Sequence, residues 1–226
     1  MEEMWTEELS LKILEIIDDR ELWYRVVALD LETKVLKKED FLTGERILSV
    51  SIARRRSSGE INNIYFILAG ETDDEEAELL HKLNDFLQKW KPLVIVGYGC
   101  RGYDLPLLTL KKEHFYRKDI EFWGITNILR GSAHIELGEL TRYIFLKKYN
   151  EERSFRDMSY VMKHEHFKDL PFKNTKDIYD FPKEQKGKEI YKNWKSGDEK
   201  FEKYLEGEAH DQLLIAERIR DTDFKQ

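Results

Sequence analysis

One stretch of ten residues, Tyr24 to Thr33 (YRVVALDLET), constrains this chain more than any other. Its first half is apolar and β-rich, and it then carries two carboxylates, Asp30 and Glu32, with a leucine between them. Such a run predicts a buried strand with acids at its end. Residues i and i+2 of a strand point to the same face roughly 7 Å apart, so both carboxylates should enter one pocket.

The closeness of these two carboxylates predicts a cation between them. Two negative charges at this separation repel each other by roughly a few kcal/mol at a moderate effective dielectric constant, and burial increases that cost. Mg²⁺ and Mn²⁺ are hard divalent ions that prefer oxygen ligands. The alternative is a strand that ends in a solvated acidic turn, and these ten residues alone do not decide between the two.

Composition limits the class of protein. The 226 residues, 41% of them hydrophobic, can build one large α/β domain, which we expect to span residues 1–226. The single cysteine, Cys100, excludes an intramolecular disulfide and a cysteine-based zinc site. No apolar run approaches the ~20 residues of a membrane span, and the first ten residues lack the features of a signal peptide, so we expect a cytoplasmic protein with no membrane partner.

Periodicity predicts the order of the secondary structure elements. In chain order they are a helix at about 7–18, strands at 24–33, 46–53 and 62–68, a helix at 73–90, strands at 93–96 and 133–137, and helices at 138–149, 154–163, 184–195 and 198–219, with a charged turn at 37–40 and a loop at 165–182. Short turns join the first three strands, so they should be antiparallel, and a crossover helix should make the later strands parallel.

Two further acids follow strand or helix signals. In the segment 97–108 (GYGCRGYDLPLL), glycines permit a tight turn from a strand into a helix, and Asp104 follows at the carboxyl end of a parallel strand. Open α/β sheets place their sites at that end. In the last predicted helix, Asp211 comes two residues before the apolar run LLIA. The alternatives are a helix cap for Asp104 and a solvated surface acid for Asp211.

Together these segments resemble the DEDD-type 3′-5′ exonucleases of the ribonuclease H-like superfamily, particularly the proofreading exonuclease domain of family-B DNA polymerases. The Asp-x-Glu of the first motif is matched by Asp30 and Glu32, and the Asp of the second motif by Asp104. The final Asp of the third motif, on a C-terminal helix before an apolar run, is matched by Asp211. The resemblance implies an α/β fold with a ribonuclease H-like mixed sheet, three antiparallel strands and then parallel strands, flanked by helices.

The third motif departs from the family pattern. Family members place a Tyr four residues, or a His five residues, before the last Asp, where it orients the attacking water. Counted back from Asp211, those positions hold Gly207 and Glu206, and Tyr204 lies a helical turn too far away. Three other side chains of this helix are therefore the candidate water-orienting groups: Tyr204, Glu208 and His210.

The resemblance implies a metal-dependent 3′-5′ exonuclease that hydrolyses terminal phosphodiesters at single-stranded DNA or RNA 3′ ends, with DNA favoured, and releases nucleoside monophosphates. Its catalytic residues, which would hold two Mg²⁺ or Mn²⁺ ions, are Asp30, Glu32, Asp104 and Asp211. Tyr98, Tyr103 and the basic tip at 54–56 are candidate contacts to the strand.

The main alternative is a protein with the same fold but with little or no catalytic activity. In this interpretation the chain is a catalytically weakened exonuclease-like subunit that binds nucleic acid or a replication or repair partner. The atypical third motif and the net charge of −7 favour it, and the four acids in order argue against it. Another nuclease on the same fold, or a non-catalytic α/β domain, are further alternatives.

Overall fold

A five-stranded mixed sheet forms the centre of the molecule. The computed structural model describes residues 2–36, 44–151, 157–179 and 183–222. The strands are β1 (Val26–Val35), β2 (Glu45–Arg55), β3 (Ile61–Ile67), β4 (Val94–Gly97) and β5 (Ala133–Glu136). Their order is β3-β2-β1-β4-β5, with β1 antiparallel to β2, β2 antiparallel to β3, and parallel pairing of β1 with β4 and of β4 with β5. The predicted mixed sheet is confirmed.

Helices cover both faces of this sheet. They are α1 (Glu2–Asp19), α2 (Asp73–Trp90), α3 (Asp104–Tyr116), α4 (Trp123–Gly131), α5 (Leu137–Tyr149), α6 (Met158–Lys163), α7 (Lys183–Ser196) and α8 (Glu199–Arg220), with short 3₁₀ helices at Trp23–Arg25 and Thr175–Tyr179. Helix α4 was not predicted, because it is only nine residues long and includes two glycines, which are poor helix formers. The first helix begins earlier than predicted. The predicted loop at 165–182 contains the second 3₁₀ helix.

Some predictions fall on residues that the structure does not describe. The predicted turn at 37–40 lies entirely outside the described residues. The predicted helix at 154–163 and the predicted loop at 165–182 each lie partly outside them. The described part of the first of these is α6, which begins at Met158 after the N-cap residue Asp157.

The crossover helix α2 turns the sheet from antiparallel to parallel. Its first turn has a capping box, in which the Thr72 hydroxyl accepts from the Glu75 backbone amide and the Glu75 carboxylate accepts from the Thr72 backbone amide. Lys91 ends the helix in the left-handed conformation, with φ 44°. The chain then enters β4, which pairs parallel with β1.

The alternation of side chains along β1 decides which face of the sheet carries the acids. Val27 and Leu29 belong to a core cluster with residues of α2, α3 and α4, whereas Ala28 belongs to a second cluster with residues of α1, α5 and α8. Because successive strand residues point to opposite faces, Asp30 and Glu32 share the face of Ala28. The first two predicted site residues therefore point toward α8.

Within the described ranges, no helix has both the length and the apolar character that crossing a membrane would require.

Candidate active site

Helix α8 lies over the middle of β1, and hydrogen bonds tie the two elements together. Asp30 and Glu32 are the fifth and seventh of the ten residues of β1, so they lie within the strand and not at its end as predicted. The Tyr204 hydroxyl donates to Glu32 Oε1 at 2.6 Å. The Gln212 side-chain amide donates to Asp30 Oδ1 at 2.8 Å. Residues 204, 208 and 212 are each four apart, so they lie on one face of the helix. That face is directed at the two carboxylates of β1.

Glu208 lies in the middle of this face and completes a carboxylate cluster. One carboxylate oxygen from each of Asp30, Glu32 and Glu208 lies within 4.8 Å of the other two, in a search restricted to the described residues. Glu208 is fully buried, and Asp30 and Glu32 are partly buried. Three carboxylate oxygens at this spacing suit a hard divalent cation such as Mg²⁺ or Mn²⁺. The chemistry of the donor set therefore fits the predicted metal.

Asp104 lies close enough to this cluster to be perturbed by it. It is the first residue of α3 and is buried. Burial raises its pKa well above the usual value, and the negative charges of Asp30 and Glu32 raise it further, while a hydrogen bond from the Leu31 backbone amide acts in the opposite direction. Burial and the two neighbouring carboxylates therefore both favour a proton or a cation at the Asp104 carboxyl group.

The turn that delivers Asp104 depends on glycines and on a carboxylate that the sequence analysis missed. Gly99 has φ +89°, a conformation that side chains rarely adopt, and a Cβ at Gly97 would lie 2.5 Å from the Cβ of Cys100. Glu136, at the end of β5, accepts hydrogen bonds from the backbone amides of Gly99 at 2.6 Å and Arg101 at 3.3 Å. The signal available for Glu136 was its place near the carboxyl end of the strand predicted at 133–137.

Asp211, predicted as the fourth ligand, is not part of the cluster. Its buried carboxylate accepts hydrogen bonds from the backbone amides of Lys173 at 2.9 Å and Asn174 at 3.2 Å. It also contacts His210 Nδ1 at 2.8 Å, which places His210 beside Asp211 rather than among the clustered carboxylates. In the structure Asp211 fixes the loop after α6 against α8.

Of the three predicted water-orienting residues, Glu208 reaches the site as a member of the carboxylate cluster and Tyr204 reaches it as a hydrogen-bond donor. Tyr204 is fully buried, and burial followed by the charges of Glu208, Glu32 and Asp30 raises the pKa of its hydroxyl well above the usual value. Tyr204 therefore stays a neutral hydrogen-bond donor. The edge of the Tyr179 ring packs against the Tyr204 ring at a centroid distance of 4.9 Å and holds it in place.

Gln212 is a second residue that the sequence analysis missed. While its amide nitrogen donates to Asp30, its oxygen accepts from the Tyr98 backbone amide at 3.2 Å. It is 1% exposed, so its orientation is fixed by these partners. Gln212 therefore connects the first carboxylate of β1 to the glycine-rich turn after β4. Its spacing of four residues from Glu208 is the signal that could have indicated it.

The basic tip at 54–56, at the end of β2, makes contacts within the protein. The guanidinium of Arg54 is buried and lies 3.3 Å from the centroid of the Trp90 ring. Arg55 binds Glu217 through two hydrogen bonds of 2.6 Å. These contacts make the tip a weaker candidate for a strand-binding surface than its sequence indicated.

Tyr103, another candidate strand contact, also has internal partners. Its hydroxyl donates to Glu45 and lies 2.6 Å from the Thr33 hydroxyl. Thr33 in turn donates to Glu45 at 2.7 Å. This group joins the residue after Glu32 to the residue before Asp104, so it supports the carboxylate cluster from the side.

Comparison with known proteins shows what the chain is similar to. Residues 39–211 match a family model described as a predicted 3′-5′ exonuclease related to the exonuclease domain of PolB. A family B DNA polymerase from the hyperthermophilic archaeon Pyrobaculum calidifontis matches with a TM-score of 0.57 and 18% identity, over 85% of this chain and 24% of the polymerase. This likeness shows the fold, and the chain spans 24% of the polymerase it matches.

More distant structural matches include exonuclease I. An E. coli exonuclease I complex with a dT13 oligonucleotide matches with a TM-score of 0.38 and 11% identity, over 59% of this chain and 32% of that one. A product-bound structure of exonuclease I gives a TM-score of 0.43 and 12% identity, over 74% and 46%. No match to a curated protein sequence was found.

Proposed function

Since the chain belongs to the family of predicted 3′-5′ exonucleases related to the exonuclease domain of PolB, we propose that it is a metal-dependent 3′-5′ exonuclease. Its substrate would be the 3′ end of single-stranded nucleic acid, with DNA favoured over RNA, and its products nucleoside monophosphates. The observation that carries this proposal is the convergence of Asp30, Glu32 and Glu208 beside the buried Asp104.

We propose that these four carboxylates are the ligands of Mg²⁺ or Mn²⁺. Glu208 then takes the place of the last Asp in the third family motif, and Tyr204 lies four residues before it, at the spacing of the family pattern. Asp211, the original candidate, is assigned the structural role of fixing the neighbouring loop, because backbone amides already occupy its carboxylate.

Divalent ions in such a site supply an activated water and neutralise the charge that develops on the phosphate. The residues of this chain provide the rest of the arrangement. Tyr204 donates to Glu32 as a neutral phenol, so it fixes that carboxylate and can orient a water beside it. Gln212 holds Asp30 in one orientation through its hydrogen bond.

The test is cleavage of 5′-labelled single-stranded DNA and of its RNA counterpart in Mn²⁺, Mg²⁺ or EDTA. We expect a metal-dependent ladder that shortens from the 3′ end and that is abolished in the Asp30→Ala variant. A matched control is Asp85→Ala, which removes an exposed acid from α2 and should leave the ladder unchanged. Equal activity of the Asp30→Ala variant and the wild type would refute the site.

The same experiment addresses the alternative of a catalytically weakened subunit. Intact substrate under every condition, from folded protein that still binds the strand, would favour a binding role in a replication or repair assembly. The comparison of DNA with RNA also ranks the substrates.

A further inference from the structure

Helix α7 is strongly basic in a chain that is acidic overall. It carries five lysines and two glutamates, a net charge of +3, whereas the whole chain has a net charge of −7. Single-stranded nucleic acid is bound through local basic surfaces that follow its backbone. A basic helix on an acidic protein is therefore a candidate for such a surface if it lies near the site.

Contacts place α7 beside the proposed active site. The Lys186 ammonium lies 5.2 Å from the centroid of the Tyr204 ring, and Tyr204 donates to Glu32. Lys34 follows Glu32 by two residues on β1, and its ammonium lies 3.8 Å from the centroid of the Tyr191 ring on α7. Positive charge therefore extends from the neighbourhood of the carboxylate cluster onto α7.

The aromatic residues of α7 anchor this helix to its surroundings. The Trp194 indole donates to the Leu68 backbone carbonyl at 2.9 Å, and the Tyr191 ring packs on Trp194 at a centroid distance of 5.5 Å. On the other side of the helix, the Asn193 amide donates to the Tyr179 hydroxyl at 2.8 Å. A fixed helix presents its lysines in defined positions, which lowers the entropic cost of binding a strand.

Three of these lysines form no ion pair within the described residues, although the charge of Lys195 acts on the nearby carboxylate of Glu71. In the part of the chain that the structure describes, no ion pair is formed by Lys186, Lys188 or Lys195, whereas Lys34 pairs with Glu71 at 3.0 Å. Lys188 and Lys195 are exposed, and Lys186 is partly exposed. Lys188 and Lys195 are seven residues apart, so they share one face of α7 and lie about 10 Å apart along its axis, whereas Lys186 is rotated by about 180° from Lys195.

We propose that Lys34, Lys188 and Lys195, the α7 lysine surface, bind the phosphate backbone of a single strand whose 3′ end occupies the carboxylate cluster. This inference rests on the proposed function and adds the path of the substrate to it. The ammonium groups complement the phosphate charges. Arg54 and Arg55 already have partners within the protein, so α7 is the more available basic surface. Each phosphate contact would release counterions and strengthen binding at low salt.

The test measures binding and cleavage separately. In one triple variant Lys34, Lys188 and Lys195 are changed to Gln, and in a matched control Lys89, Lys147 and Lys163, which are exposed on α2, α5 and α6, are changed to Gln. Affinity for a labelled oligothymidylate is measured in EDTA, without cleavage, over a range of salt concentrations. We expect at least about tenfold weaker binding for the α7 variant and a salt dependence reduced by roughly 0.7 per lost contact, with little change in the control.

Cleavage in Mn²⁺ distinguishes this inference from the proposed function. With an oligonucleotide substrate the α7 variant should have a higher KM and a nearly unchanged kcat, and with a small mononucleotide ester it should equal the wild type. Equal losses of affinity in both triple variants, or none in either, would overturn the inference. If the wild-type protein binds the oligonucleotide through α7 but cleaves no substrate, the proposed function is refuted and the α7 lysine surface is supported.

Discussion

Glu208 and Asp211 lie three residues apart on α8, and they have different surroundings. Glu208 is directed at β1, where Asp30 and Glu32 place their carboxylate oxygens within 4.8 Å of it. Asp211 is rotated by about 60° around the helix axis. It therefore meets the backbone amides of Lys173 and Asn174 instead. At the scale of the residue, this rotation decides which acid belongs to the proposed site.

We predict that the two acids respond differently to neutral substitution. Glu208→Gln should lower the rate of metal-dependent cleavage by roughly a hundredfold or more, because it removes a ligand charge. Asp211→Asn should keep most of the activity and lower the melting temperature instead, because it weakens buried hydrogen bonds worth roughly 1–3 kcal/mol. Cleavage rates and melting curves of both variants check this, and activity lost only in Asp211→Asn would restore the original assignment.

At the scale of the element, the 3₁₀ helix Thr175–Tyr179 is packed directly on α8. Gly207 makes this contact possible, because a Cβ at that position would overlap the Thr175 side chain. The Thr175 hydroxyl donates to the Tyr204 backbone carbonyl at 3.2 Å, and Tyr179 packs against the Tyr204 ring. Gly207 occupies the position at which the third motif was expected to have a tyrosine. It therefore allows the 3₁₀ helix that supports Tyr204 to pack closely against α8.

We predict that Gly207→Ala separates these two elements. Overpacking of this kind costs about 1–3 kcal/mol, and each kcal/mol corresponds to about 2–4 °C in melting temperature for a chain of this size. Cleavage should fall as well, since Tyr204 loses its support. Thermal unfolding measures the effect, and the second change Thr175→Gly should restore part of it. An unchanged melting temperature for Gly207→Ala would contradict the packing described.

At the scale of the whole molecule, two layers of helices enclose the sheet, and negative charge is concentrated around Asp30 and Glu32 on its central strand β1. Leu14 of α1 shares a core cluster with Ile144 of α5 and Ile215 of α8. This shared core supports the proposal that residues 1–226 form one domain. The stability of that domain depends on the charge at the site, because burial and neighbouring carboxylates raise the pKa of Asp104.

We predict a pH-dependent stability in EDTA that arises from Asp104. Its pKa is higher in the folded than in the unfolded chain, so the folded state holds the proton more tightly. The associated stabilisation is complete below the unfolded pKa, near 3.8, and is lost as the pH rises through the folded pKa. Asp104→Asn should therefore raise the melting temperature relative to the wild type at neutral pH in EDTA.

Melting curves from acidic to neutral pH measure this effect, with Asp85→Asn as the control on α2. Mn²⁺ should stabilise the wild type at neutral pH, since an ion that binds only the folded state raises its stability. The stabilisation by Mn²⁺ should be smaller in Asp104→Asn. If the melting temperatures of the wild type and of Asp104→Asn change with pH in the same way, Asp104 is not the source of the pH-dependent stability.

Much of the fold could be predicted from the sequence, because its signals are local. The apolar, β-rich run before Asp30 predicted β1, the capping residues at 72–74 and the apolar stripe predicted α2, and the glycines before Asp104 predicted the turn into α3. Helix α4 was missed because it is short and includes two glycines. The resemblance to the proofreading exonuclease domain was carried by the order of these segments, and the family match confirms it.

By itself the sequence determined the strand that carries Asp30 and Glu32 and the mixed order of the sheet, since both follow from patterns within a few residues. Only the tertiary structure decided which acid of α8 joins them and which residues hold them. Tyr204 and Glu32 are 172 residues apart, and Gln212 and Asp30 are 182 apart. The rotation of α8 about its axis is fixed by packing against β1 and the loop at 171–174, and no local pattern encodes that rotation.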